Sequence, residues 1–424
     1  MIETLIIADD LTGAADCAVS CATAGADTVV LLDPKANPGG ATAVSVDVNS
    51  RAMTAQEAGA AVTGALQHLY SKSTCILYHK IDSTLRGNWP SELAQIRQAA
   101  TEVLGHAPLA IVVPAFPAAG RATIDGHVFV NGTPLGNTGL WKQAGLTGSG
   151  DLRAILEDVG FRVRVASLEQ VALGSEALKT RLAESADVGC DAVVCDAQTE
   201  DDLRTVAAAS LMLPRKPLWV GSAGLMRALV RAGKGKVVPT SAPKGAAAGK
   251  PVLVVVGSAS SVSHMQFDAL AEEHDVMPLT ILPSALREGR APEQVQSYAQ
   301  ALDAALAAGS DVAVSIQGEE VNFQEGPQLA AALAELIVPH LSRVGGLIVT
   351  GGETARAILD RAGISGLKMQ DEVEPGAPLG VSTGDIAIPV ITKAGAFGDR
   401  TTLKRCRAIL RGGRSCHSNS AMSE

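Results

Sequence analysis

Ile6-Ile7-Ala8-Asp9-Asp10-Leu11-Thr12-Gly13 opens this chain with an apolar run that stops on acidic, hydroxyl and glycine residues and then turns helical. The pattern recurs at Lys80-Ile81-Asp82-Ser83-Thr84-Leu85-Arg86-Gly87, at Val255-Val256-Gly257-Ser258, at Thr350-Gly351-Gly352-Glu353-Thr354 and at Thr392-Lys393-Ala394-Gly395-Ala396-Phe397-Gly398-Asp399. Strand–turn–helix units of this kind build α/β folds, which bind ligands at the carboxyl ends of their strands. The charged turns fall early and the glycine-rich ones late, which predicts two sites on two domains.

Outward from these turns, strand-like runs lie at 4–8, 28–32, 43–48, 76–80, 109–113, 162–166, 192–195 and 218–220. Most are continuous Val, Ile, Leu and Ala, the pattern of strands covered on both faces. Segments of helical length separate them, two of them opened by the capping boxes Thr54-Ala55-Gln56-Glu57 and Thr199-Glu200-Asp201-Asp202. Helix-connected strands imply a parallel sheet. A small-residue, proline-bearing stretch follows, and then a second series with strands at 252–256, 311–316, 347–349 and 386–391. The predicted architecture is α/β: two domains, each a mostly parallel sheet flanked by helices, with the active site in the cleft between them. The domains are expected at 1–235 and 251–411, joined by a linker at 236–250 and followed by a flexible tail at 412–424. Residues 123–150, rich in Gly and Thr with little pattern, read as an active-site loop.

Composition agrees. A chain of 424 residues exceeds what one core usually serves, and 47% hydrophobic with 3% aromatic residues is the balance of a packed α/β enzyme. A net charge of −9 argues against nucleic acid as a partner while leaving room for a small anion. The seven Cys show no CxxC spacing, so Cys17 and Cys21 read as small buried residues in a reducing compartment. With no charged leader and no apolar run near ~18 residues, the expectation is a soluble, cytoplasmic protein with no membrane association. A homodimer stays open.

Asp9 and Asp10 put two like charges side by side, costly unless they face ligand hydroxyls, a metal or basic partners; one of them can also cap the following helix. The cluster Lys80, Asp82, Ser83, Thr84 and Arg86 suits a small polyhydroxylated acid, with a cation for the carboxylate and the rest for hydroxyls. Arg51 ends another strand and adds a guanidinium to the same rim. Pro114-Ala115-Phe116-Pro117-Ala118-Ala119-Gly120-Arg121 also follows a strand, with prolines that read as architectural. In the second half Ser258, Gly351, Gly352, Glu353, Thr354, Gly395 and Gly398 lie in turns whose N–H groups suit phosphate. No GxxxxGK[ST] and no GxGxxG after the first strand is present, and the eight His show no metal-ligand spacing. No protein metal site is expected; Mg²⁺ carried by a nucleotide needs few dedicated ligands.

Taken in order, these blocks, together with Val220-Gly221-Ser222-Ala223-Gly224, resemble the four-carbon acid sugar kinase family over nearly the whole chain. The resemblance implies an N-terminal acid-sugar-binding domain and a C-terminal ATP-binding domain. It also implies ATP-dependent phosphorylation of the terminal C4 hydroxyl of D-threonate, or alternatively D-erythronate or 3-oxo-tetronate, in carbohydrate-acid catabolism. Carried over by motif, Asp9, Asp10, Arg51, Lys80, Asp82, Ser83, Thr84 and Arg86 hold the acid sugar. Ser258, Gly351 to Thr354, Gly395 and Gly398 hold ATP with its Mg²⁺. Asp399 resembles the base of the Gly-Ala-Gly-Asp turn in ribokinase-type sugar kinases, with Asp10 its catalytic rival. Two other classes compete: a Schiff-base aldolase or dehydratase using Lys80, and a non-enzymatic sugar-acid sensor.

Overall fold

The computed structural model describes residues 1–139, 141, 148–233, 250–287, 292–319 and 325–412. The chain divides into two compact units, Met1–Pro239 and Thr240–Glu424. The expected α/β class holds in each.

In the first unit the strands β1 (Thr4–Ala8), β2 (Thr28–Leu31), β3 (Ala43–Asp47), β4 (Ile76–Lys80) and β5 (Ala110–Val113) alternate with helices. After an antiparallel insertion come β9 (Val163–Ala166), β10 (Ala192–Cys195) and β11 (Leu218–Gly221). They lie in the order β2-β3-β1-β4-β11-β5-β10-β9, with every pair parallel. The central strands are buried along their length, as their unbroken apolar runs require: Leu5, Ile6 and Ile7 are wholly inaccessible. The helix Leu11–Thr23 owes its close fit on β1 and β3 to Gly13, Ala14, Ala15, Cys17 and Ala18, all buried. Cys17 and Cys21 are buried free thiols, and burial pushes Cys17 out of the reactive range. Both expected capping boxes are formed, Thr54 with Glu57 and Thr199 with Asp202.

In the second unit β12 (Val252–Val256), β13 (Val276–Ile281), β14 (Asp311–Ile316), β15 (Gly346–Thr350), β16 (Ile364–Glu372), β17 (Pro378–Gly384) and β18 (Pro389–Lys393) lie in the order β13-β14-β12-β15-β18-β17-β16. The first five of that order are parallel, while β17 runs antiparallel to both β18 and β16.

Three elements depart from the sequence reading. β13 and the β16–β17 pair were not expected, and the last strand starts at Pro389 rather than 386. The physical reason is shared: β13 is an outermost strand carrying Pro278, and β16 alternates buried and polar positions, so neither shows the continuous apolar run of a central strand. Of residues 123–150, expected as an active-site loop, those described contain more order than their composition suggested. β6 (Arg121–Ile124), β7 (His127–Val130) and β8 (Thr133–Pro134) form a small antiparallel sheet. Its turns are Asp125-Gly126 and Asn131-Gly132, all four residues at positive φ, the strongest short hairpin signal there is. The expected linker and tail fall mainly outside the described residues. Among the described residues no helix is long and apolar enough to cross a membrane.

Candidate functional site

Crossovers from β1 and from β4 leave in opposite directions along the sheet, so the β1/β4 boundary is a topological switch point, the usual place for a ligand crevice. The turns that follow β1, β3 and β4 meet there. Arg51 straddles the acidic pair: its Nε donates to Asp9 Oδ2 at 2.8 Å, Nη2 to Asp9 Oδ1 at 3.0 Å and Nη1 to Asp10 Oδ2 at 3.1 Å. Asp10 is also the N-cap of the helix Leu11–Thr23, accepting from the Gly13 N–H at 2.9 Å and from the Thr12 hydroxyl at 2.6 Å. The pair thus meets a basic partner and caps a helix at once. Lys80 donates to the Ile81 carbonyl at 2.9 Å, and a Cβ on Gly13 would sit 2.5 Å from its Nζ, so the glycine makes room for the ammonium. Asp82 is gripped by Arg86 through Nε at 2.7 Å and Nη2 at 3.1 Å, and the Thr84 hydroxyl donates to it too. Leu85 and Gly87, at φ 61° and 88°, fold this loop back so that a Gly87 Cβ would lie 3.2 Å from Asp9 Oδ2.

The adjacent carboxylates are driven apart. Burial raises the Asp9 pKa, opposed by Arg51. Burial works on Asp10 as well, but Arg51 and Lys80 outweigh it and hold that carboxyl below its usual range. For Asp82, burial is overcome by Arg86 and Arg51, which hold it well below that range. Beneath them Glu92, fully buried, accepts from Ser50 Oγ at 2.6 Å and pairs with His79 Nε2 at 2.9 Å. Glu92 supports the turn that carries Arg51, a role no motif signalled.

The second unit repeats the arrangement with other chemistry. Its switch point lies at β12/β15, and the turns after β12, β15 and β18 converge on Ser258. A Cβ on Gly395 would lie 2.0 Å from Ser258 Oγ, and the nearest neighbours of Gly351, at φ +93°, are Ser258 atoms from 3.5 Å. The Gly351 N–H donates to the Lys393 carbonyl at 2.9 Å. Gly257 faces Thr354, whose Oγ1 would be 1.9 Å from an added Cβ. The ten-residue helix Gly352–Arg361 starts without a side-chain cap, which suits an anion at its first N–H groups. Ser258, Gly351, Gly352, Thr354 and Gly395 are therefore brought together, whereas the Glu353 carboxylate lies beside Gly326 at the start of the helix Gly326–Ile337.

The turn that holds Gly395 and Gly398 is pinned from behind. Lys393, 1% exposed, donates to the carbonyls of Ala394 at 2.8 Å, Gly395 at 3.3 Å and Phe397 at 2.9 Å. Ser263 Oγ donates to the Gly395 carbonyl at 2.8 Å, and Gln266 Nε2 to those of Phe397 at 3.0 Å and Asp399 at 2.8 Å. Asp399 follows, its side chain 65% exposed, accepting from the Thr401 N–H and hydroxyl at 2.7 Å each and paired with Arg405 at 3.1 Å. Arg405 and Thr401 hold its pKa down to about 2. Lys393, Ser263 and Gln266 escaped the sequence reading because each looks like an ordinary strand or helix residue; the one cue was a lysine ending an apolar run.

Known proteins match in the same two parts. Residues 4–229 fit the family model of a sugar-binding N-terminal domain, and residues 253–403 that of a nucleotide-binding C-terminal domain. A D-threonate kinase of Cupriavidus necator is 45% identical over 412 residues, covering 94% of this chain and 96% of that protein. The chain belongs to the four-carbon acid sugar kinase family. Within the family, a D-erythronate kinase of Heliobacterium modesticaldum is 30% identical, covering 96% of each chain. The fold is shared with a crystal structure from Salmonella typhimurium LT2 at a TM-score of 0.77 and 23% identity, covering 96% of this chain and 98% of that one.

Proposed function

We propose that this acid sugar kinase family member transfers the γ-phosphoryl group of ATP to the terminal C4 hydroxyl of a four-carbon acid sugar, D-threonate first, in the cytoplasm. Residues 1–235 bind the acid sugar and 251–411 bind ATP, with 236–250 as linker and 412–424 as tail. The observation that supports this most is the pairing of a charged turn cluster at one switch point with a bare glycine cluster at the other, in a relative of a D-threonate kinase.

Phosphoryl transfer needs in-line positioning and charge neutralisation more than covalent chemistry from the protein. Ser83, Thr84, Asp10 and Lys80 present hydroxyl, carboxylate and ammonium groups to the sugar hydroxyls, while Asp9, Arg51, Asp82 and Arg86 hold that rim in shape. Backbone N–H groups of Gly352, Gly395 and Gly398, with Ser258 and Thr354, cradle the phosphates, Gly351 lets the backbone approach them closely, and Glu353 stands in the first turn of the same helix. ATP would supply the phosphoryl group, and Mg²⁺ carried on it would neutralise part of its charge. An ion carried on the nucleotide would need at most one or two carboxylates from the protein. Asp399, exposed beside the glycine turn, is the proposed proton acceptor; ionised as it is, it takes the proton late, as the C4 oxygen loses it to the transferring group.

Release of ADP with ATP and Mg²⁺ across D- and L-threonate, D- and L-erythronate and 3-oxo-tetronate tests the proposal, with fastest turnover expected on D-threonate. Turnover on another acid moves the substrate to that acid. Silence with ATP still bound discards four-carbon specificity, and silence without ATP binding discards the kinase. Asp399→Asn is expected to lower kcat by roughly 100-fold, within the range of a lost general base, with KM little changed. Near-normal turnover in D399N moves the base to Asp10. Retention of substrate after borohydride without nucleotide would instead favour the Schiff-base chemistry of Lys80.

A further inference from the structure

The antiparallel pair β16–β17 stands outside the run of parallel strands in the second unit, yet the turn that joins it, residues 373–377, packs on the glycine turn after β18. The Ala394 N–H donates to the Gly376 carbonyl at 3.4 Å, and a Cβ on Gly376 would lie 2.9 Å from the Phe397 ring. The joining turn is itself fixed: the Ala377 N–H donates to the Glu374 carbonyl at 2.9 Å, and the Val373 N–H to the Ala377 carbonyl at 3.0 Å. It carries the Glu374 carboxylate, 17% exposed, against the turn after β18, where a Cβ on Gly398 would lie 2.9 Å from Glu374 Oε1.

Glu374 stands behind two of the groups that hold Asp399, one on its backbone and one on its carboxylate. Its Oε1 accepts from Thr402 Oγ1 at 2.6 Å, and its Oε2 accepts from Arg405 Nε at 2.7 Å and from Arg405 Nη2. Thr402 Oγ1 in turn accepts from the Asp399 N–H at 2.9 Å, while Arg405 Nη1 and Nη2 donate to Asp399 Oδ1 and Oδ2 at 3.1 Å each. A hydroxyl that gives its one proton to a carboxylate has only lone pairs left, so Glu374 turns the Thr402 oxygen into an acceptor for the Asp399 N–H. A guanidinium whose Nε edge is taken by one carboxylate presents its Nη groups to the other in a fixed plane. An exposed ion pair by itself holds geometry weakly; here the arginine is anchored from its far side by the less exposed of the two carboxylates.

We infer that Glu374 is a positioning residue for proton transfer: through Thr402 and Arg405 it fixes the backbone and the carboxylate of Asp399 at the edge of the glycine turn. The inference rests on the reading of Asp399 as proton acceptor. Its rival is an effect on the glycine turn itself, because the charge of Glu374 also reaches Lys393; that effect would fall on ATP binding. The test compares steady-state turnover with ATP, Mg²⁺ and the best of the five acids for the wild-type chain, Glu374→Ala, Glu374→Gln, Asp399→Asn and E374A/D399N. Hydrogen exchange of residues 394–402 is measured on the same proteins.

E374A is expected to lower kcat roughly tenfold, a part of what loss of the base itself costs, with both KM values little changed. E374Q, which keeps an oxygen for Arg405, is expected to fall between E374A and the wild type. E374A/D399N is expected to match D399N, since a residue that acts through the base then has nothing left to position. The Asp399 amide is expected to lose protection in E374A. Full kcat in E374A, a change confined to the KM for ATP, or an E374A loss undiminished in the D399N background would overturn the inference and leave the kinase standing. If E374A fails to fold, E374Q/D399N against D399N makes the same comparison. Near-normal turnover in D399N removes the base and the inference with it. Should the wild type release no ADP on any acid, the kinase reading falls and exchange alone decides whether Glu374 holds Asp399: faster exchange in E374A sustains that contact, and unchanged exchange overturns it.

Discussion

The two units carry the same strand order at their cores, β2-β3-β1-β4 in the first and β13-β14-β12-β15 in the second, and each gathers its turns at the same switch point. What fills that point differs completely. In the first unit it is side chains: Asp9, Asp10, Arg51, Lys80, Asp82 and Arg86 in one ion-pair network. In the second it is their absence: Gly257, Gly351 and Gly395 bring backbone against Ser258 and Thr354. Topology decides where a ligand can bind, and the side chains decide which ligand. A charged frame suits hydroxyls and a carboxylate, where each atom must be matched; bare N–H groups suit phosphate, whose many oxygens accept from any donor.

The sharpest break in that comparison is to give the glycine site a side chain. Gly395→Ala drives a Cβ to within 2.0 Å of Ser258 Oγ. The expected result is loss of ATP affinity by about 100-fold, matching an overpacking cost of roughly 3 kcal/mol, with acid-sugar binding untouched. G395A/S258G removes the clash and is expected to regain at least about tenfold; no regain would mean that Ser258 itself is needed. Next is the converse in the first unit. Arg51→Met strips the guanidinium from two adjacent carboxylates, one of them 1% exposed. Urea unfolding is expected to show a loss of about 3 kcal/mol, as for a broken buried pair, and the deficit should shrink as pH falls and one carboxylate takes a proton. A pH-independent deficit would assign the loss to packing. Smaller still, Gly87→Ala and Gly351→Ala each force an alanine to φ near +90°. Each is expected to cost about 1 kcal/mol in stability, the first weakening acid binding and the second ATP binding.

How far the sequence could be read follows the same division. The unbroken apolar strands and the turns that end them are local signals, so the α/β class, the Asp9-Asp10 pair, the 80–86 loop and the three glycine turns all stand out in one dimension. Convergence does not: nothing along the chain says that Ser258 is met by residues 93 and 137 positions later, which follows only from β12, β15 and β18 lying side by side. Charge bookkeeping was equally hidden. Arg51 and Arg86 look like free anion binders in the sequence and turn out to be committed to carboxylates, while Arg121, which opens β6, keeps a buried Nε with no partner. The Asp125-Gly126 and Asn131-Gly132 pairs were readable hairpin signals and point to that strand. β13 and β16 at the margins of the second unit, and β17 beside β16, lacked the apolar runs that mark central strands.

The finest test of the comparison concerns Lys393, the single buried cation behind the glycine turn, because it asks whether this site depends on a charge at all. Burial lowers its pKa from 10.5 to about 8. The unfolded chain therefore binds more protons than the folded one between those values, so the stability cost of the buried charge is fully present below about pH 8 and fades as pH rises toward 10.5. Its three carbonyl partners work the other way, since a neutral amine has only two N–H groups for Ala394, Gly395 and Phe397. Wild type and Lys393→Met are to be compared by urea unfolding at several values from pH 7.5 to 10, where other groups cancel. The wild type is expected to gain slightly on the variant with rising pH, while its ATP affinity slips as the turn loses a donor. Parallel curves and a flat ATP affinity would mean that the lysine acts only as a spacer, and that the second site, unlike the first, is built from backbone alone.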